Sequence, residues 1–240
     1  MIRLINNERA LYITDRKEIV ISDLHIGIER EFFENGIILP DSTKNMLDRI
    51  FKISEEKETE RITILGDIKH QIGIPRKYIK EKIKEFFKIL EDHFYVTVVK
   101  GNHDGNIESI IDCKIYPPRG YLDGDIYKMH GHTWPDESLN NAKYLLMGHI
   151  HPEINIIQSS GKGYSPVWLI GRSTKNFRKC YPNFNGKIIV LPSFNVYTGM
   201  SLTNDPPGPI FSKCLNINKM KVFLLDHTYL GKYEEIKIEK

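Results

Sequence analysis

Along the first hundred residues, short β-branched runs alternate with longer amphipathic stretches. Ala10 to Ile13 and Glu18 to Ser22 read as strands around the polar turn Thr14 to Lys17, with Arg61 to Leu65 and Val96 to Val99 as further strands. Between them the spacing predicts helices. A short one covers Gly27 to Phe33 and is halted at Gly36. A second starts at Pro40-Asp41-Ser42 and runs to about Glu56, burying Met46, Leu47, Ile50, Phe51 and Ile53. A third covers Arg76 to Leu90, where Ile79, Ile83, Phe86, Phe87 and Leu90 fall three and four apart, and its Lys and Glu residues form a solvated face. Ser54 to Glu60 reads as a solvated turn. Strand-helix alternation of this kind predicts parallel pairing, with functional loops at the carboxyl ends of the strands.

Beyond residue 119 the pattern changes. Gly120 to Leu122, Ile126 to Met129, Tyr144 to Met147, Ile154 to Ile157, Val167 to Ile170 and Lys187 to Leu191 are short strands with little helix between them, which predicts a second, mixed or antiparallel sheet. Asp205 to Pro209 is a rigid loop, and Lys221 to Leu225 and Thr228 to Ile238 are edge strands. No repeat or composition break marks a linker, so residues 1–240 are read as one α/β domain.

A formal charge of +3 on 240 residues excludes a strongly acidic surface and decides little else. No uncharged run approaches the roughly 20 apolar residues of a membrane span, and Met1 to Glu18 lacks the apolar core of a signal peptide. Cys113, Cys180 and Cys214 are odd in number and far apart, so neither a disulfide framework nor a thiolate zinc site is indicated. A soluble, cytoplasmic protein is expected.

The chemistry gathers where strands end. The first region supplies Asp23-Leu24-His25, Gly66-Asp67-Ile68-Lys69-His70 and Gly101-Asn102-His103-Asp104. The second supplies His130-Gly131-His132 and Gly148-His149-Ile150-His151. Each alone has a plain reading: Asp23 could cap the following helix, and Gly101 to Asp104 could be a polar turn. Yet seven of the nine histidines fall in these five loops, with only His93 and His227 elsewhere. Imidazoles, carboxylates and one amide without thiolate suit manganese, iron or zinc. Two cations about 3.5–4 Å apart sharing a carboxylate would clamp both oxygens of a phosphoryl displacement.

In this order, Asp-x-His, Gly-Asp-x-x-His, Gly-Asn-His-Asp, His-Gly-His and Gly-His-x-His resemble the calcineurin-like metallophosphoesterase superfamily. Asp23 to Gly27 through Asn35 to Pro40, together with Val190-Leu191-Pro192-Ser193-Phe194-Asn195, resemble its DNA-ligase-associated branch, kin to a double-strand-break-repair nuclease. The resemblance implies a four-layer α/β/β/α sandwich of two mixed sheets. It implies two divalent ions, manganese first, with iron or zinc as alternatives. Asp23, His25, Asp67 and His151 would hold the first ion, and Asn102, His130 and His149 the second, with Asp67 bridging. His103 would protonate the leaving oxygen, with Asp104 holding its ring. His70 would orient phosphate or act as a structural support. The implied partners are a phosphodiester substrate, nucleic acid among them, a second copy of the chain and DNA-repair proteins, with no membrane. The chain's end at Lys240 leaves no expected room for that nuclease's cap domain or ATPase-binding extension. A phosphatase or phosphodiesterase for small nucleotides and a non-catalytic scaffold are the alternatives. The intact His103 and ligand set argue against the scaffold.

His132 either lines the site or caps the Trp134-Pro135 turn. The basic stretch Gly171 to Lys179, with its single aromatic Phe177, is a solvated face or a phosphate contact. Phe194 and Tyr197 line the cleft or pack.

Overall fold

The computed structural model describes residues 1–158, 161–201 and 207–236. The first sheet is assembled from β1 (Ile2–Leu4), β2 (Leu11–Ile13), β3 (Glu18–Ile21), β4 (Arg61–Ile64), β5 (Tyr95–Val99) and β6 (Lys114–Tyr116), in that spatial order. β3 through β6 pair in parallel. Their crossovers carry α1 (Glu29–Glu34), α2 (Ser42–Lys57) and α3 (Lys77–Glu91). The Asp41 side chain accepts from the Thr43 N–H and so caps α2.

The second sheet contains β7 (Tyr121–Asp123), β8 (Ile126–Lys128), β9 (Tyr144–Met147), β10 (Pro152–Gln158), β11 (Gly161–Arg172), β12 (Lys187–Val190) and β13 (Met200–Ser201). Their order is β13-β10-β11-β12-β9-β8-β7. Two further strands, β14 (Lys221–Leu224) and β15 (Tyr229–Lys232), extend it. The sheet is mixed: β8, β9 and β12 are parallel, and the hairpins β7-β8 and β10-β11 are antiparallel.

Period-2 alternation sorts the apolar residues into three cores, and three cores separate four layers. Ile19, Ile21, Ile62, Ile64, Val96 and Val98 face α2 and α3. The residues between them, Val20, Leu65 and Val99, face the second sheet, where Leu146, Trp168 and Ile189 meet them. On that sheet's other face, Leu145, Met147, Val167, Leu169, Ile188 and Val190 pack under α4 (Lys175–Cys180) and α5 (Pro209–Lys213). The expected α/β/β/α sandwich of two mixed sheets is what forms.

Several expectations are corrected. Ser54 to Lys57 is the last turn of α2, because helical hydrogen bonding continues until Glu58 adopts a left-handed C-cap. β1 (Ile2–Leu4) and β6 (Lys114–Tyr116) are strands of three residues that the pattern did not mark. The basic stretch at 175–180 is a helix, capped by Thr174 and anchored by the fully buried Phe177, which is therefore no exposed stacking ring. β14 lies between β11 and β15 and is not an edge. Pro209 opens α5. Asp205 and Pro206 of the expected rigid loop, and residues 237–238 of the expected last strand, lie outside the described residues. Cys180 and Cys214, 34 residues apart, form a disulfide between the ends of α4 and α5. Spacing alone could not anticipate it, since the two helices meet only through tertiary packing.

Candidate metal centre

Five loops leave the carboxyl ends of β3, β4, β5, β8 and β9 and meet over the seam between the sheets. Asp23, His25, Asp67, His149 and His151 all take left-handed φ values of 59°, 42°, 51°, 75° and 38°. Such conformations cost about 1–3 kcal/mol each for non-glycine residues and persist only where surrounding bonds overdetermine them. Those bonds are present. The Asp23 N–H donates to the Gly66 carbonyl at 3.1 Å and the His25 N–H to the Asp67 carbonyl at 2.8 Å, stitching the first two loops together. The His149 N–H donates to the Asp23 carboxylate at 3.2 Å, and the His103 N–H to Asp67 Oδ1 at 2.9 Å. Two glycines are needed for the approach. A Cβ on Gly101 would fall on the Asp67 carboxylate, and one on Gly148 would fall on the Ser22 hydroxyl.

The loops deliver two overlapping groups of side chains. In the first, Asp23, His25, Asp67 and His151 each offer a ligand atom within 4.8 Å of the others; in the second, Asp67, His130 and His149 do. His151 Nε2 lies 3.0 Å from Asp23 Oδ1 and 3.2 Å from His25 Nε2. His130 Nε2 lies 3.3 Å from Asp67 Oδ2, 3.1 Å from Asn102 Oδ1 and 3.2 Å from His149 Nδ1. Separations near 3 Å are the edges of a coordination polyhedron whose bonds are about 2.0–2.2 Å long. The donors therefore fit divalent cations as they stand.

Neighbouring groups set tautomer and charge. The His130 Nδ1–H donates to the Leu65 carbonyl at 2.6 Å, which turns Nε2 inward. Burial holds His25 and His149 down to about 3, with the neighbouring His151 and His130 rings acting in the same direction, so both present neutral lone pairs. Burial opposes charge on Asp23, but His151 and His130 overcome it and keep the carboxyl ionised, at about 2. Asp67 is likewise held below its ordinary range against its burial, by His130, His25 and His103. The two carboxylates in turn outweigh burial at His130 and raise it to about 9.

His103 Nδ1 donates to the His70 backbone carbonyl, which leaves Nε2 facing Asp67 Oδ2 at 3.8 Å. The expected contact from Asp104 is replaced: its carboxylate accepts from the N–H groups of Gly101 (2.8 Å), Ile68 (2.8 Å) and Lys69 (3.4 Å). Three backbone donors outcompete one neighbouring ring, and Asp104 becomes the clasp between the second and third loops. The His70 ring lies between His25 Nδ1 (3.4 Å) and Glu31 Oε2 (2.6 Å). His132 packs its ring against those of His130 and His149, with centroids 5.2 Å and 5.9 Å apart.

Sequence reasoning missed the supports. Asn195, fully buried, donates from Nδ2 to the Leu24 carbonyl at 2.7 Å, and the Ser193 hydroxyl donates to the Asp23 carbonyl at 2.8 Å. Arg9 donates to the carbonyls of Ser193 and Asn195, and Arg49 donates to that of Phe194 while stacking on its ring at 4.0 Å. Phe194 thus packs and does not line the cleft, and the Tyr197 ring sits 6.5 Å from that of Phe32. The run Leu191 to Asn195 stood out in the sequence, but nothing local to it named the loop it braces. Glu31 carried no signal at all.

With the geometry in place, known proteins can be set beside it. The calcineurin-like phosphoesterase family model matches residues 18–190, and the chain belongs to that family. No curated protein sequence matches the chain. Among solved structures, the nuclease MPE of Pseudomonas putida is 18% identical, with a TM-score of 0.61 over 92% of each chain. Yfce, a phosphoesterase from E. coli, is 17% identical, with a TM-score of 0.42 over 92% of this chain and 99% of that one. Family and donor clusters together define a divalent-metal phosphoester hydrolase. No helix among the described residues is long and apolar enough to cross a membrane.

Proposed function

We propose that this protein is a two-metal phosphodiesterase acting on nucleic acid, from the nuclease side of its family. The observation that carries the reading is the sharing of Asp67 between two donor groups whose remaining members are imidazoles, a carboxylate and the Asn102 amide. Asp23, His25, Asp67 and His151 would hold one ion, and Asp67, Asn102, His130 and His149 the other. When bound, such a pair lowers the pKa of water toward neutrality and clamps the attacking and leaving oxygens of an in-line displacement. Manganese is the first choice for this mixed nitrogen and oxygen set, ahead of iron and zinc.

The chain's own groups do the rest. Asp67 bridges. His103, fixed through Nδ1 by the His70 carbonyl, directs Nε2 into the site and hands a proton to the leaving oxygen. The His70 ring supports His25 through Nδ1, with Glu31 behind it, and this favours positioning over direct phosphate contact. The likeness to the DNA-ligase-associated branch rests on Asp23 to Gly27 through Asn35 to Pro40 and on the run Val190-Leu191-Pro192-Ser193-Phe194-Asn195. Partnership with DNA-repair proteins, a second copy of the chain and a cytoplasmic home belong to this proposal.

Turnover of bis(p-nitrophenyl) phosphate and of its monoester, with Mn²⁺ and after chelation, tests the reading. Diester hydrolysis that needs metal and is lost in His103→Ala supports it. Monoester preference would make the protein a phosphatase, and absence of metal-dependent turnover a scaffold.

A further inference from the structure

Beside the donor cluster lies a cavity of about 410 Å³, bounded on the site's side by His70 and His103. Its wall is amphipathic. Tyr78 and Ile72 are largely exposed apolar groups, 48% and 70% accessible, and Arg30 and Arg76 stand beside them. Glu34 gathers the two guanidiniums. Its Oε1 accepts from Arg30 Nε at 2.6 Å and lies 3.7 Å from an outer nitrogen of Arg76. Each guanidinium has five N–H donors, so one carboxylate oxygen shared between two engages only a small part of either fork.

An aromatic ring, an aliphatic wall and two converged arginines at one edge of a phosphoester site match one kind of occupant. We infer that this cavity is the leaving-group subsite of the phosphodiester substrate, seating a nucleoside against Tyr78 and Ile72 and the next phosphate of the strand at Arg30 and Arg76. The inference rests on the phosphodiesterase reading above and names the substrate class more closely. The side is assigned by His103, the cavity-lining residue whose Nε2 is placed to protonate the departing oxygen. The size is right for one nucleotide, since pockets for small ligands span about 300–1,000 Å³. Stacking on an aromatic ring tolerates any base, while arginine forks fix the spacing between the scissile phosphate and its neighbour.

The Mn²⁺-loaded protein is assayed on bis(p-nitrophenyl) phosphate, on a dithymidine phosphodiester and on trithymidine with two phosphodiesters, comparing kcat/KM ratios within each variant. Tyr78→Ala should lower the dinucleotide to bis(p-nitrophenyl) ratio about tenfold. Arg30→Gln with Arg76→Gln should lower the trinucleotide to dinucleotide ratio about tenfold. The same double variant should weaken binding of a fluorescent oligothymidine, read by anisotropy without turnover, and flatten its salt dependence. Both arginines are about half exposed, so their replacement spares the fold. Equal losses on all three substrates, or unchanged ratios with unchanged binding, would overturn the subsite. A wild-type protein inactive on bis(p-nitrophenyl) phosphate would overturn the parent reading, and the subsite with it.

Discussion

Two clusters of charge are buried in the same seam between the sheets, one step apart along β8, and they are built in opposite ways. Lys128 is fully buried and pairs with Glu18 of β3 and with Asp123 at 3.0 Å, while Thr63 donates to the same Glu18 and Arg16 pairs with Asp123 at 2.6 Å. Two residues on, His130 opens the other cluster, where carboxylates and imidazoles converge on one another and no lysine or arginine is among the converging donors. Opposite charges of the chain satisfy one cluster. In the other, donors converge on space that only cations can use well. Buried charge is therefore not itself a mark of function; convergence of like donors is.

Breaking each cluster should have different consequences. Asp67→Asn strikes both donor groups, and metal content should fall from two ions to one or none by mass spectrometry of the native protein. Metal-dependent hydrolysis should drop on the order of 10³-fold, about 4 kcal/mol of barrier, while the metal-free protein still melts cooperatively. Lys128→Met leaves Glu18 buried and uncompensated, and should lower unfolding free energy by about 3–5 kcal/mol in denaturant titrations. Metal stoichiometry of the folded fraction should stay at two, and adding Glu18→Leu should recover much of the loss. If Lys128→Met instead emptied the metal site, the two clusters would be one unit.

Asn195→Ala sharpens the contrast within the site. It removes the donor to the Leu24 carbonyl, so affinity for one ion should weaken about 10–100-fold while the ion on Asn102, His130 and His149 is kept. Isothermal titration with Mn²⁺ should then show two unequal steps. The smallest effect comes from acid. Burial opposes ionisation of Asp123, but Lys128 and Arg16 overcome it and depress its pKa below 3.8. A depressed carboxyl contributes stability that is complete above its unfolded value and is lost as pH falls through the folded one. Melting temperature should therefore decline below about pH 4, and Asp123→Asn should flatten that acid limb.

Much of the fold was legible because local periodicity carries it: α2 and α3 announce themselves by spacing, and β3 through β5 by β-branched runs that end in polar, chemically active residues. α4 was hidden because half of its six residues are basic and only Phe177 is buried. Of the candidate site, Asp23, His25, Asp67, Asn102, His130, His149 and His151 are brought together. Asp104 meets partners other than the one expected, and His70 meets His25 and Glu31. A neighbour in sequence suggested that Asp104 would hold His103, whereas three backbone N–H groups from two loops claim it.

The amino-acid sequence by itself determined which residue types end each strand, and hence the kind of chemistry, because side-chain character and a period of two or 3.6 are local properties. Only the tertiary structure decided what each group touches: the His70 carbonyl on His103, Asn195 under the Asp23 loop, Glu31 behind His70 and the Cys180–Cys214 bridge. Those contacts join residues from 33 to 171 positions apart. No local pattern encodes such distances, because they are set by how two twisted sheets and their helices pack as whole bodies.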